Sequence, residues 1–379
     1  MKKTVPVIAA VLLMAGLRFP AAYAADEPDI SAKAAVVVSA DTGEVVFSRN
    51  SGEKLPMAST TKIMTTLLCI ESGGLDVPFV VDSDAIHVEG SSMGLQEGDI
   101  VTKRALCCGM LLPSGNDAAN AAAVRISGSI DKFAELMNSR AQEMGLSKTY
   151  FVTPSGLEGE GHGSSAYDMA ILASEALRYD VFRDICSSES MKVEFGAPPY
   201  PRWLKNTNKL LSMYGGTYGV KTGFTDEAGR CLVSACERDG KNLVCVTLND
   251  RNDWNDHMAM YDFAFGQVHT FEPDIPQDIE LPLAGGSSDT IKAKAQELPA
   301  PVTSVGEEEL SYTVISPPFI YAPVNAGDKL AELSISCRGR EIRRIPLYAA
   351  ENAAYKNAPA KKKKSGRKLF GGRSCRAFA

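Results

Sequence analysis

Apolar runs at Ala34 to Val38 and Glu44 to Phe47 flank Asp41-Thr42-Gly43, a turn signal that predicts a hairpin opening a sheet. Helical spacing of apolar residues follows near 59–71, 104–126, 131–144 and 167–178, and strand-like runs return at 230–236 and 243–248. A further helical pattern near 254–266 closes this part of the chain. Strands at both ends with helices between them predict an α+β fold: one antiparallel sheet with helices on both sides and an all-helical portion. From Phe271 the pattern changes, because Pro273, Pro276 and Pro282 punctuate a linker and a first strand. Alternation over Leu310 to Ile315 and Leu333 to Arg344 then predicts a small all-β C-terminal domain. No internal repeat is visible.

The two ends of the chain read differently from its body. Lys2 and Lys3 precede an apolar run from Val5 to Leu17, and Ala22-Tyr23-Ala24 supplies the small-x-small pattern of a secretory cleavage site. The expected organisation is a signal peptide at 1–24, a first domain at 27–268, the all-β domain at 272–348 and a disordered polybasic tail at 351–379. That tail carries Lys361 to Lys364, Arg367, Lys368, Arg373 and Arg376, whereas the whole chain has a formal net charge of −6. Its charge suits an anionic membrane or wall surface, and the other reading is a solvated end without a partner. It has no apolar stretch long enough to span a bilayer, so the expected location is extracytoplasmic, peripheral or secreted. Nothing in the charge pattern points to nucleic acid.

Nine cysteines in an exported chain raise the question of disulfides, but an odd number leaves at least one thiol unpaired in a monomer. Cys69, Cys107 and Cys108 sit among apolar helical residues, and Cys231, Cys236 and Cys245 fall on predicted strands, where cysteine behaves as a small hydrophobe. Mostly free thiols are expected. No C-x-x-C pair or His-rich cluster proposes a metal site.

The candidate chemistry lies in three short segments: Ser59-Thr60-Thr61-Lys62, Ser114-Gly115-Asn116 and Lys221-Thr222-Gly223. A serine hydroxyl needs a base within hydrogen-bond reach and a site that stabilises the oxyanion it creates. Positions i and i+3 share a helix face, so Lys62 places its amine one turn from the Ser59 hydroxyl, at the positive end of the helix. Burial and the neighbouring cation Lys221 both depress the pKa of Lys62 toward a neutral base. Ser114 is placed to relay protons between Lys62 and a leaving amine, and Asn116 offers an amide to a substrate backbone. Lys221 and Thr222 suit a substrate carboxylate, and Gly223 lets a strand edge approach the ligand. Three other S-x-x-K matches begin at Ser51, Ser129 and Ser365. They read as a loop, a helix N-cap and part of the tail, and only the Ser59 copy heads an apolar helix.

Taken together, these segments resemble the active-site set of the serine penicillin-recognising enzymes. Their surroundings, Leu111-Leu112-Pro113-Ser114-Gly115-Asn116-Asp117-Ala118-Ala119, Gly219 to Thr225 and Ala228-Gly229-Arg230, are similar to the D-alanyl-D-alanine carboxypeptidases among the low-molecular-mass penicillin-binding proteins. So is Thr153-Pro154-Ser155-Gly156-Leu157, followed by His162, Ser164, Ser165, Ala166, Tyr167, Asp168, Met169 and Ala170. The likeness covers roughly residues 30–350 and is strong up to about 268. It implies a β-lactamase/DD-peptidase-like first domain, a peptidoglycan pentapeptide stem as substrate, an acyl-enzyme at Ser59 and β-lactams as covalent inhibitors. It implies no cofactor and no metal, with the backbone N–H groups of Ser59 and Phe224 as the oxyanion hole. Some members carry a histidine where this chain has Phe224, whose side chain donates no hydrogen bond.

The alternatives are a DD-endopeptidase acting on cross-links and a non-catalytic wall-binding or spore-envelope protein. A class A β-lactamase is disfavoured, because no Glu-x-x-Leu-Asn follows the second motif. No G-x-S-x-G elbow accompanies His87, His162, His257 or His269, so a Ser-His-Asp triad has no support. His162, in a Gly-rich loop, is the histidine with a claim to the cleft. Asp168 reads as a helix-orienting residue, and Trp203 and Trp254 as packing residues.

Overall fold

The computed structural model describes residues 27–296, 300–306 and 309–356. The leader expected at 1–24 lies outside them, as does the basic tail beyond Lys356.

The first hairpin forms as expected, with β1 (Ala34–Ser39) returning antiparallel as β2 (Val45–Arg49). A 3₁₀ turn at Ala58–Thr61 runs directly into α1 (Lys62–Glu71), every residue of which except Glu71 is buried. Two short strands, β3 (Phe79–Val80) and β4 (Ile100–Val101), precede α2 (Lys103–Leu111) and α3 (Asn116–Ser127). The spacing predicts one helical stretch over 104–126. The structure breaks it at 112–115, because Pro113 removes a ladder donor and Ser114 adopts a left-handed φ of 67°. α4 (Ile130–Glu143) and α5 (Ala166–Ala176) each start at a serine hydroxyl that accepts from the third residue on, Ser129 from Lys132 and Ser165 from Asp168. Next come α6 (Asp180–Ser187) and the hairpin β5 (Ser190–Gly196)–β6 (Pro199–Lys205), neither anticipated from sequence. α7 (Leu210–Met213), β7 (Thr217–Thr225), β8 (Gly229–Arg238), β9 (Lys241–Leu248), α8 (Asp253–Phe265) and β10 (His269–Phe271) follow.

The central sheet has the order β2-β1-β9-β8-β7, antiparallel throughout, so strands from both ends of this segment pair as the pattern predicts. Strand alternation sorts its side chains onto two faces. Ala34, Val36, Val233 and Val244 face α5 and share one core with α1 and α2, while Ala35, Val37, Leu232 and Leu243 share a second core with Met260, Tyr261 and Ala264 of α8. Each large aliphatic side chain buried this way contributes about 1.5–3 kcal/mol. β7 forms one edge of the sheet, next to the Ser59 turn.

The rest of the chain has its own core of Leu281, Ile291, Leu333, Ile335 and Leu347. β11 (Ile279–Ala284), β12 (Thr290–Ala295), β14 (Leu310–Ile315), β15 (Ile320–Tyr321), β16 (Lys329–Cys337) and β17 (Arg340–Ala349) form a six-stranded sheet, ordered β14-β16-β17-β12-β11-β15. The intervening β13 (Val302–Ser304) instead pairs with β10. Its Thr303 accepts from the Ser39 hydroxyl at 2.7 Å and donates its N–H to Asp41 at 2.8 Å. The division expected between 268 and 272 is therefore crossed by a returning strand. No helix of the described residues is long and apolar enough to cross a membrane.

Candidate active site

The turn that carries Ser59 is held in an unusual backbone state. Ala58 has a φ of 48°, sparsely populated for a residue with a side chain. The carbonyl it turns outward abuts Gly156, where an added Cβ would lie 2.0 Å from the Ala58 oxygen. Gly156 itself has a φ of +87°, so both its conformation and its contact require glycine.

α1 then delivers Lys62 one turn later. Its Nζ lies 2.8 Å from Ser59 Oγ, 2.7 Å from Asn116 Oδ1 and 2.6 Å from the Ser155 carbonyl. The last two partners are acceptors, and the hydroxyl can be donor or acceptor. A neutral amine has two protons and one lone pair, so all three contacts are satisfied when Ser59 Oγ–H donates to Lys62. Electrostatics points the same way: burial, and next the charge of Lys221, hold the Lys62 pKa well below its ordinary value, against a smaller opposing pull from Asp117. Lys62 is fully buried and Ser59 half-buried, so the pair opens to the cleft through the serine.

The break between α2 and α3 sets Ser114 in the cleft wall and Asn116 behind it. Asn116 Nδ2 donates to the Glu89 carbonyl at 2.7 Å while Oδ1 accepts from Lys62, so the amide is engaged at both ends. Its direct partners are Lys62 and the 89–95 loop rather than open space. Asp117 fastens that loop by accepting from the N–H groups of Met93, Gly94 and Leu95 and from the Ser92 hydroxyl. The Ser114 hydroxyl is not among the partners of Lys62, whose three positions are taken. A relay through Ser114 therefore requires one of them to be released first.

On the opposite wall, β7 presents Lys221, Thr222, Gly223 and Phe224. Lys221 is 1% exposed, and burial pulls its pKa down to about 7. Its Nζ reaches only the carbonyl and hydroxyl of Thr222, at 2.8 and 3.5 Å, and it has no carboxylate partner among the described residues. The Thr222 hydroxyl bonds Thr207 at 2.7 Å. At Gly223 an added Cβ would sit 3.1 Å from Ser59 N, which is how closely the strand edge approaches the serine turn. Phe224 is exposed and lines the mouth of a cleft of about 350 Å³ that also holds Ser59, Ser114 and Thr222.

A sequence profile of the D-alanyl-D-alanine carboxypeptidase family matches residues 21–252. The chain belongs to that family. It is 34% identical over 344 residues to the D-alanyl-D-alanine carboxypeptidase DacF of Bacillus subtilis (strain 168), covering 85% of each chain. The crystal structure of the Streptomyces K15 DD-transpeptidase superposes with a TM-score of 0.60 at 29% identity, covering 63% of this chain and 98% of that one. At 24% identity, the carboxypeptidase DacD from Francisella tularensis shares the fold over 87% of this chain and 95% of its own, with a TM-score of 0.59.

In this carboxypeptidase-family chain, several residues around the site lie outside the three short motifs. Ser155 acts through its backbone carbonyl, and only the Pro-Ser-Gly turn marks it. Thr207, Lys209, Arg230 and Asp253 line the cleft from elements outside the three motifs. Trp254 also lines it while packing against the core beneath α8, as the sequence suggests, whereas Trp203 is 70% exposed and is not the packing residue expected. His162 sits behind the serine turn: its Nδ1 accepts from Val152 N–H, leaving Nε2–H to donate to Thr61 Oγ1 at 2.9 Å. Burial lowers its pKa to about 4, so it is a neutral strut. His257 does bond a serine, Ser234, at 2.7 Å, but both are fully buried between sheet and α8 and out of reach of substrate. Asp168 orients a loop, accepting from Lys148 N–H and the Thr149 hydroxyl.

Proposed function

We propose that the protein removes the terminal D-alanine from peptidoglycan pentapeptide stems through an acyl-enzyme on Ser59. The observation that carries this reading is the Lys62–Ser59 contact of 2.8 Å, with Lys62 buried, held below its ordinary pKa and bonded to two fixed acceptors. Lys62 takes the Ser59 proton as Oγ attacks the carbonyl between the two D-alanines. The oxyanion is received by the backbone N–H groups of Ser59 and Phe224. Once Oγ is an ester oxygen it no longer donates to Lys62, and the proton now on Lys62 passes through Ser114 to the leaving amine. Water then enters and attacks the ester carbonyl while giving a proton to Lys62; the Ser59 Oγ–carbonyl bond breaks, Lys62 returns that proton to Oγ, and the shortened stem is released. Lys221 and Thr222 hold the terminal carboxylate, and Asn116 positions Lys62. A penicillin carbonyl is attacked by the same serine.

The leader-like residues 1–24 and the basic tail support an exported enzyme acting at the cell envelope, with the tail resting on an anionic membrane or wall surface. The direct test of the catalytic reading is a fluorescent penicillin followed by peptide mapping. Ser59→Ala is expected to abolish both labelling and D-alanine release without altering the unfolding temperature by more than a few degrees. Label recovered on Ser51, Ser129 or Ser365 would sink the assignment.

A further inference from the structure

The six-stranded C-terminal sheet exposes an apolar corner on its outer strands. From Leu310 to Gly327 the chain carries no charged residue, although at the chain's 23% a stretch of this length would hold about four. The stretch comprises β14, the Ser316-Pro317-Pro318 link and β15, and β14 and β15 are the two outermost strands of the sheet. Outer strands ordinarily carry charge, which keeps other chains from adding to them.

The apolar side chains of this stretch face water. On β15, Ile320 turns inward beside Leu283, which puts Phe319 and Tyr321 together on the outer side, 54% and 74% exposed. Val314 and Ile315, at the end of β14, are exposed as well, and only the three-residue link separates them from Phe319. Large apolar side chains concentrated on one uncharged run mark an interaction surface, unlike hydrophobes scattered singly.

The last described residues are fastened to the same corner. Tyr321 lies beside Ala284 of β11; two positions further on, Gly286 bridges Tyr355, which is exposed, and Ala353 exchanges backbone hydrogen bonds with Val324. The sequence that continues from Lys356 holds Lys361 to Lys364, Arg367, Lys368, Arg373 and Arg376, so the basic tail begins beside the exposed rings. An anionic bilayer is the partner that suits both features: its phosphate headgroups attract the cations, and its headgroup–acyl boundary takes aromatic and aliphatic side chains. A glycan would need polar side chains beside the rings to bond its hydroxyls, and from Val314 to Phe319 only Ser316 has one.

We propose that residues 314–321 are a membrane-docking loop, with Ile315, Phe319 and Tyr321 entering the headgroup boundary of an anionic bilayer while the basic tail lies on its surface. The proposal rests on the reading of an exported enzyme with a surface-bound tail, and it assigns that surface to lipid rather than wall polymer.

The test is co-sedimentation of residues 25–379 with phosphatidylcholine vesicles containing or lacking phosphatidylglycerol, at rising sodium chloride. The double variant Phe319→Ser/Tyr321→Ser and, separately, Ile315→Ser are expected to bind the anionic vesicles at least tenfold more weakly than wild type, with the same dependence on salt because the tail is intact. All three positions are exposed, and an unchanged unfolding transition with unchanged penicillin acylation reports that the variants are folded. In Phe319→Trp the added indole should shift its emission to the blue on vesicle binding and be quenched by lipids brominated in the acyl chain, beyond any response of wild type with its own two tryptophans. Variants that bind as tightly as wild type, or an added indole that does not respond, overturn the loop and leave the tail reading standing. Loop-dependent binding that is equal with and without phosphatidylglycerol supports the loop and overturns the tail reading. Absence of vesicle binding by wild type overturns both. A wild-type dimer that the double variant dissociates, with vesicle binding unchanged, gives the patch to a second copy of the chain and overturns the lipid assignment.

Discussion

Lys221 is buried and has no carboxylate partner among the described residues, so its charged form costs the fold stability while it waits for one. Replacing it by methionine of similar length removes that cost. A fall in pKa from 10.5 to about 7, at about 1.36 kcal/mol per pH unit, sets an upper bound of about 5 kcal/mol. Relaxation and water entry reduce the realised figure to about 2–3 kcal/mol. The sign follows from proton counting: between pH 7 and 10.5 the unfolded chain holds a proton on this amine that the folded chain does not, so wild-type stability rises with pH across that window. The penalty is full below pH 7 and gone above 10.5. Lys221→Met is therefore expected to unfold at higher urea concentration than wild type at pH 6, by about 2–3 kcal/mol, and by less than about 1 kcal/mol at pH 9.5. The same variant should lose most D-alanine release. In it the acid limb of penicillin acylation should move to higher pH, because Lys62 is freed from a like charge. Equal stability of the two proteins at pH 6, or a difference that does not shrink by pH 9.5, would refute the reasoning.

Gly156→Ala forces a Cβ to 2.0 Å from the Ala58 carbonyl at a left-handed φ. It should slow penicillin acylation by about 10–100-fold, as the Ser155 bond to Lys62, on the order of 1.5–3 kcal/mol, is disturbed; wild-type acylation would remove that carbonyl from the mechanism. Amidating the terminal D-Ala should cost on the order of 2–4 kcal/mol in kcat/KM through the loss of the Lys221 contact. Undiminished turnover of the amide would favour endopeptidase action instead. The tail should bind anionic vesicles at about 1 kcal/mol per basic residue near the surface, weakening steeply with salt. Co-sedimentation of full-length protein beside a form ending at Ala350 checks this, and equal binding by both would leave the tail a solvated end.

What was legible in the sequence is what depends on side-chain type at short spacing. Ser59 and Lys62 had to meet at spacing i, i+3, although Ser59 lies in the 3₁₀ turn ahead of α1 rather than on that helix, and Lys221 to Gly223 had to lie on a strand edge; the central sheet's two faces followed from alternation. The break at 112–115 was partly hidden, because apolar spacing continues through it although Pro113 and Gly115 mark it. The contacts that arm Lys62 were hidden more deeply. The Ser155 carbonyl is 93 positions away and carries no side-chain signature, and the engagement of Asn116 by Glu89 depends on a loop whose position Asp117 sets. Trp203 was misjudged for the same reason: its exposure is decided by its place on the β5–β6 hairpin, not by its own neighbours in sequence.

Backbone strain sorts along the same line. Among the described residues six non-glycine residues have positive φ, and four have local explanations: Asn50, Asp239 and Asn249 are residue types that tolerate it, and Arg338 sits before Gly339 in the β16–β17 turn. The other two, Ala58 and Ser114, have neither excuse. One immediately precedes Ser59, and the other lines the cleft facing it. Such conformations cost on the order of 1–3 kcal/mol each and persist only where their surroundings over-determine them. Here the surroundings are the Gly156 contact, the fully buried α1 and the loop that Asp117 holds. The desolvation of two buried lysines and the strain of two residues in one small volume oppose folding. The sheet packed on both faces offsets them, so the rigidity of the core is what holds a serine and a neutral amine 2.8 Å apart before any substrate arrives.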